Sequence, residues 1–174
     1  MKKSESDDKK IKEENKPDPT VNTKEGKLFT VFDLEGEEYG LGVDLMDEIV
    51  RDVDISRIPR SPDNMLGATN LRGEVIPVID LKKILGLGKT EKEAKDTIII
   101  QIDEKKLAAP VDRVKDIVSS GEDKLIDPAK ITNLDDSKLR WILRLEKGRS
   151  VRVINVKKLF EKEIKKIDMT TQYQ

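Results

Sequence analysis

IPRSPDNMLGATNLRGEVIPVIDL, residues 58–81, sets two apolar extended runs on either side of an Arg-Gly pair. Gly73, with no Cβ, takes the positive φ that a tight hairpin demands. Ala68-Thr69-Asn70-Leu71 leads into the turn, and Val75-Ile76-Pro77-Val78-Ile79 leads out. The second run is β-branched and apolar apart from its proline, as strands are. Pro77 has no N–H for a ladder, so it is expected at an edge or a bulge. Asn70, Arg72 and Glu74 then cluster at the tip. None of them is a residue type that does catalysis unaided, so the tip reads as a binding surface.

The chain is 174 residues long with a net charge of −1, which suits one domain or two small packed ones and offers no pull toward nucleic acid or an anionic membrane. It contains no cysteine and no histidine. Disulfides, thiolate metal sites, cysteine nucleophiles, the Ser-His-Asp triad and the commonest zinc ligand are therefore all absent. No metal or cofactor is expected. No apolar run is long enough to span a bilayer, and the first residues lead into more charge rather than into a signal core. A cytoplasmic protein is expected. Aromatics are only 3% of the chain, so the core must be built from Ile, Val and Leu.

Residues 1–26 carry seven lysines and seven acidic residues, with Ile11 and Val21 the only apolar side chains after Met1. Such a stretch buries too little to offset its ordering entropy and reads as a disordered tail. Leu28–Leu34 reads as the first strand, and Tyr39–Val43 returns after a turn at Gly36. Asp44 is expected to cap a short helix through Ile49. Val53, Ile55 and Ile58 alternate as an extended segment facing a core. After the hairpin, Asp80 caps a short helix that stops at Gly86. Thr97–Ile102 is a buried strand. Leu107–Pro110 and the run through Val111, Val114, Ile117 and Val118 follow, then a polar crossing anchored by Ile126, Ile131 and Leu134. Leu139–Leu145 and Ser150–Ile154 form the last hairpin, turned at Lys147-Gly148 and packing Trp141. Asn155 caps a helix from Val156 to about Ile164. The expected domain spans 27–165, and 166–174 is expected to fray. Many short strands with regular turn signals and few helices make this an all-β chain.

Two motifs fail on inspection. Gly88-Lys89-Thr90 lacks the glycine that a phosphate loop needs five places earlier, where Lys83 stands. Asp52, Asp54 and Ser56 alternate like a calcium loop, but Arg57 occupies the position of its obligatory glycine. No carboxylate pair has a hydrolase context.

Asn70-Leu71-Arg72-Gly73 with Val75-Ile76-Pro77-Val78-Ile79-Asp80-Leu81 resembles the CheW family, the adaptors that couple bacterial chemoreceptors to the histidine kinase CheA. Glu37-Glu38-Tyr39-Gly40, Glu48-Ile49, Val111-Asp112-Arg113-Val114 and Ile154-Asn155-Val156-Lys157-Lys158-Leu159 match in order and spacing, from about Leu28 to Phe160. The resemblance implies two five-stranded β-barrels packed side by side, with a C-terminal helix. It implies a non-enzymatic adaptor with two partners, chemoreceptor cytoplasmic tips and the regulatory domain of CheA. It places the protein in the cytoplasm at membrane-associated receptor arrays, without membrane insertion. A divergent paralogue scaffolding another receptor–kinase pathway is the alternative.

The resemblance also implies sites. Glu48 and Arg72 match a neighbouring glutamate–arginine pair beside the receptor groove, where a forked contact would fix the hairpin tip. Met46, Glu48, Ile49, Asn70, Arg72, Gly73 and Val114 are the receptor-binding candidates. Met46, Ile49 and Val114 have core packing as their alternative. Ile98 and Ile100 are kinase-contact candidates, with burial inside the barrel the equal alternative.

Deleting residues 1–26 is expected to leave the melting temperature within about 2 °C of the full chain's, because the segment has no apolar surface to pack. Thermal unfolding of the two forms checks this, and a large drop would show that the tail packs.

Overall fold

The computed structural model describes residues 26–88, 93–131 and 137–171. The charged tail up to residue 25, the Lys89-Thr90 pair, the anchor expected at Leu134 and the last three residues lie outside these.

Eleven strands form two antiparallel-rich sheets among the described residues. The first five strands are β1 (Lys27–Leu34), β2 (Glu37–Gly42), β3 (Met46–Val50), β4 (Met65–Leu71) and β5 (Glu74–Ile79). The short helix α1 (Leu81–Leu85) follows, and then β6 (Asp96–Ile102), β7 (Lys105–Val111), β8 (Arg113–Ser120) and the two-residue β9 (Leu125–Ile126). The last elements are β10 (Leu139–Arg144), β11 (Ser150–Ile154) and α2 (Val156–Thr171). One sheet runs β8-β1-β2-β11-β10-β9 and the other β3-β6-β7-β5-β4. The all-β expectation is met. The sheets have six and five strands, however, and neither closes its hydrogen-bond ladder into a barrel.

Each sheet nonetheless curls around a core of its own. In the six-stranded sheet, Phe29, Val31, Leu143, Val151 and Val153 cluster with Val118 from edge β8 and Leu125 from edge β9. In the five-stranded sheet, Ile76, Val78, Ile99 and Ala108 cluster with Val50 from edge β3 and Leu71 from edge β4. Opposite edges can share one cluster only if the sheet bends back on itself. A third and larger core lies between the sheets. Phe32, Leu34 and Leu41 meet Ile98, Ile100, Ile102 and Leu107 there, and α2 adds Val156, Leu159 and Phe160.

Local chemistry accounts for most element ends. Asp80 Oδ1 accepts from the Lys83 N–H at 3.0 Å, and Gly86 ends α1 at φ +77°. Asn155 Oδ1 accepts from the Lys158 N–H at 3.3 Å, opening α2. That helix continues to Thr171, past the expected stop near Ile164, so residues 166–171 are helical rather than frayed.

Three expectations need correction. Asp44 lies in a single 3-10 turn, Val43–Leu45, with no side-chain cap, and Met46–Val50 is a strand rather than a helix. Ile55 and Ile58 are exposed, and residues 51–64 contribute one bridge, Ser56 to Ala68, rather than a core-facing strand. Pro77 stands in β5, which has β4 on one side and β7 on the other, so it is interior and not at an edge. Its partner Ala68 turns both its N–H and its C=O toward Ser56, at 2.9 and 2.8 Å. No hydrogen bond is therefore asked of Pro77 across that pair. A bulge between Met65 and Gly67 lies one pair further on.

Gly67 permits this seam. Its φ is +149°, and a Cβ there would stand 2.2 Å from the Ser56 carbonyl oxygen. Gly67→Ala is expected to cost about 2–4 kcal/mol, through lost seam pairing and a disfavoured φ. Urea unfolding measures it, and an unchanged midpoint would show that the Ser56 bridge contributes nothing.

Candidate functional site

The turn between β4 and β5 consists of two residues, Arg72 at φ +51° and Gly73 at φ +87°. Two successive positive φ values are the pattern of a two-residue hairpin turn whose twist matches the flanking strands. Asn70 Oδ1 accepts from the Gly73 N–H at 2.9 Å and braces the turn from inside. Arg72 thus holds a left-handed backbone that glycine ordinarily takes, and its side chain is aimed away from the hairpin.

It is aimed at Glu48. Nη1 donates to Oε1 at 2.9 Å and Nη2 to Oε2 at 2.8 Å, the fork that the resemblance implies. The support differs from that expectation, because Glu48 sits on strand β3 and not on a helix. Since β3 and β4 are the two edges of the five-stranded sheet, the fork spans the seam that the ladder leaves open. Arg72 remains 76% exposed and Glu48 24%. An exposed pair of this kind contributes about 0–1 kcal/mol, so its main effect is to orient the guanidinium.

A bulge aims the neighbouring side chains. Met46 pairs with Ile100, Glu48 with Ile99 and Ile49 with Ile98, so the extra residue in β3 is Asp47. Strand alternation would put Met46 and Ile49 on opposite faces, but the bulge puts both on the face of Ile98 and Ile100, toward the six-stranded sheet. Glu48 takes the other face and reaches Arg72. Lys106 of β7 pins the bulge through Asp47 Oδ2 at 3.0 Å.

The structure gathers the apolar candidates along the line where the sheets meet. Met46 is half-buried, and its Sδ accepts from Thr30 Oγ1 of β1 at 3.3 Å. Ile49 is 40% exposed. Val114 is the second residue of the edge strand β8, half-buried and packed against the shared core. Ile98 and Ile100 are different. Each is 1% exposed and locked in the shared core, so neither offers a partner any surface. Trp141 is half-buried, with Arg140 over its ring at 4.8 Å.

Asp96, at the head of β6, was missed by sequence reasoning. It is 5% exposed and accepts from the Val114 N–H at 2.8 Å and from Arg51 Nε at 3.2 Å. An aspartate preceding an apolar strand reads as a solvated strand start, and only the fold reveals its partners. A second tie joins the β1–β2 turn, α1 and the β7–β8 corner, where Lys82 Nζ meets Glu35 at 2.8 Å and Asp112 at 2.5 Å. Burial pushes the Lys82 ammonium down, but the hydrogen bonds it donates to Asp112 and Glu35 outweigh that and hold it above the usual lysine value.

Beside Val114 lies a charged cluster. Arg149 forks onto Asp116 and donates Nε to Glu38 at 2.6 Å, and Lys115 bridges Glu38 and Asp33 at 2.7 and 3.1 Å. The Arg149 hydrogen bond, with Lys115 helping and burial opposing, holds the Glu38 carboxyl below its ordinary 4.5. Among the described residues, no cluster of His, Cys, Asp or Glu suits a metal ion, and no helix is long and apolar enough to cross a membrane.

A depressed carboxylate stabilises the fold above its unfolded value and loses that contribution as pH falls through the folded one. Glu38→Gln is therefore expected to flatten the stability–pH curve below about pH 4.5, with little effect on its shape at neutral pH. Chemical unfolding across pH 3–7 checks it, and parallel curves for the two proteins would refute it.

A family model described as the CheW-like domain matches residues 28–163. The chemotaxis protein CheW of Treponema pallidum is 32% identical over 154 residues, spanning 84% of this chain and 89% of that protein. That of Thermotoga maritima is 30% identical over 140 residues, spanning 78% and 89%. The crystal structure of the scaffolding protein TtCheW from Thermoanaerobacter tengcongensis superposes with a TM-score of 0.71 at 36% identity, covering 78% of this chain and 93% of that one.

Proposed function

The chain belongs to the CheW family of chemotaxis coupling adaptors, and we propose that it joins the cytoplasmic tip of a chemoreceptor to the regulatory domain of the histidine kinase CheA, without catalysing a reaction itself. The observation that carries this reading is the Arg72–Glu48 fork beside the exposed Ile49 and the half-buried Met46 and Val114. A receptor tip is a helical hairpin, and an amphipathic helix docks by laying apolar residues along a groove while charged groups at the rim fix its register. Met46 suits the groove because a flexible thioether adapts to a packed helix. The fork uses two of the guanidinium's five N–H donors, leaving others for carbonyl or carboxylate groups of the receptor.

The kinase face lies elsewhere than Ile98 and Ile100, which are sealed in the core. Binding both partners at once raises the kinase's effective concentration at the receptor and lets receptor state bias kinase state. The protein then works in the cytoplasm at membrane-associated arrays, held there by its partners.

Calorimetric titration against the CheA regulatory domain of the organism encoding this chain is expected to saturate near one-to-one. Absence of binding at high micromolar concentration would move the pathway to a different kinase. Arg72→Glu places like charges at the seam and is expected to weaken binding of a receptor-tip fragment about tenfold. The same variant should keep the kinase affinity and lower the melting temperature by no more than about 4 °C. Unchanged receptor binding would withdraw the site assignment.

A further inference from the structure

Asp96 joins the two sheets where the groove residues stand. It begins β6, in the five-stranded sheet, and is 5% exposed. Its two oxygens serve opposite sides. Oδ2 accepts from the backbone N–H of Val114, the second residue of β8, in the six-stranded sheet. Oδ1 accepts from Nε of Arg51, the residue directly after β3. Val50, the last residue of β3, pairs with Thr97, and Ile49 pairs with Ile98, so Arg51 falls opposite Asp96 in the continued register.

β8 is an edge strand, and its register against β1 slips between Val31 and Phe32, where Asp116 gives way to Val114. Lys115 is thus the extra residue, and the N-terminal end of β8 is displaced from the regular ladder. Nothing in that ladder fixes Val114 relative to β3. The carboxylate does so directly. A buried acceptor holding one backbone donor and one cation is costly to leave unpaired, so the geometry is kept rather than sampled. The Arg51 side chain is 81% exposed, which makes the charged half of the arrangement the weaker half.

We propose that Asp96 is a positioning residue that sets the distance and tilt between the two walls of the receptor groove, by tying the Val114 wall of one sheet to the Ile49–Arg51 end of β3 in the other. It touches no partner itself. The inference rests on the reading of Met46, Ile49 and Val114 as a receptor groove, and adds to it the residue that determines which hairpin fits.

Three variants test it against two probes, a soluble cytoplasmic tip fragment of a methyl-accepting chemoreceptor and the CheA regulatory domain, both from the organism encoding this chain. Asp96→Ala removes both acceptors. It is expected to weaken receptor-fragment binding at least tenfold, to leave kinase-domain binding within twofold, and to raise the exchange rate of the Val114 amide proton. Asp96→Asn keeps a carbonyl oxygen for the Val114 N–H and is expected to restore receptor affinity to within about threefold of the parent. Ile99→Val, a small deletion in the five-stranded core away from the groove, is a control for destabilisation alone, and should leave both affinities within twofold. Equal losses for both partners in Asp96→Ala, or no rescue by asparagine, would reduce Asp96 to a general structural tie and overturn the proposal. Should Asp96→Ala fail to fold, the asparagine variant and Arg51→Ala carry the test. Each is then expected to weaken receptor binding two- to threefold, and parent-like binding by both would overturn the proposal. A parent protein that binds no receptor fragment would refute the groove reading itself, an outcome separate from any difference among the variants.

Discussion

Ile98, Ile99 and Ile100 are consecutive, and β6 is buried on both faces. Ile99 belongs to the small core inside the five-stranded sheet, while Ile98 and Ile100 belong to the core between the sheets. Each such side chain contributes about 2 kcal/mol by leaving water. Two sheets of this size, each enclosing only a handful of apolar residues, need a third shared core, and β6 is one of the strands that belong to two of them. The placement of β3 follows, because among the described strands β3 pairs only with β6. The placement of the groove follows in turn, because Met46 and Ile49 inherit their facing from Ile100 and Ile98.

Charged contacts then refine what apolar packing brings together. The Arg72–Glu48 fork crosses the seam of one sheet, Asp96 links the two sheets on the groove side, and the Glu35–Lys82–Asp112 group links them at α1. The contacts differ in kind. The fork is exposed and weak, so it orients a side chain without holding the fold. Asp96 and the three members of the Glu35–Lys82–Asp112 group are largely buried, and leaving one of these four unpaired would be costly, whereas Arg51 is exposed.

The hairpin at Arg72-Gly73 was legible because its turn chemistry is local, and so were the caps at Asp80 and Asn155 and the stop at Gly86. The resemblance supplied the Glu48–Arg72 pair, which sequence distance alone would have hidden. The errors share a cause. Met46 and Ile49 stand three apart, the spacing of a helical face, and a β-bulge produces the same outcome within a strand. Pro77 was expected at an edge or a bulge, and its interior place beside one could not be foreseen because the direction of Ala68's hydrogen bonds cannot be read from a one-dimensional pattern. Ile98 and Ile100 read equally well as surface or core, since an apolar run does not say how many layers will cover it. Asp96 was invisible for a related reason, as both its partners come from elements distant in the chain.

The bulge at Asp47 also constrains how this protein can change over evolutionary time. Met46 and Glu48 keep their opposite facings only while Asp47 stays out of the ladder, because a regular strand puts residues two apart on one face. Drawing Asp47 into the pairing would swing either the apolar side chain or the carboxylate to the wrong side. Losing it outright would instead make Met46 and Glu48 neighbours in a regular ladder, with the same partners and the same facings. Substitution at position 47 costs little more than one contact with Lys106. Position 47 can therefore be replaced or lost without turning the groove residues, whereas a change that flattens the bulge would mark a descendant that has abandoned the groove.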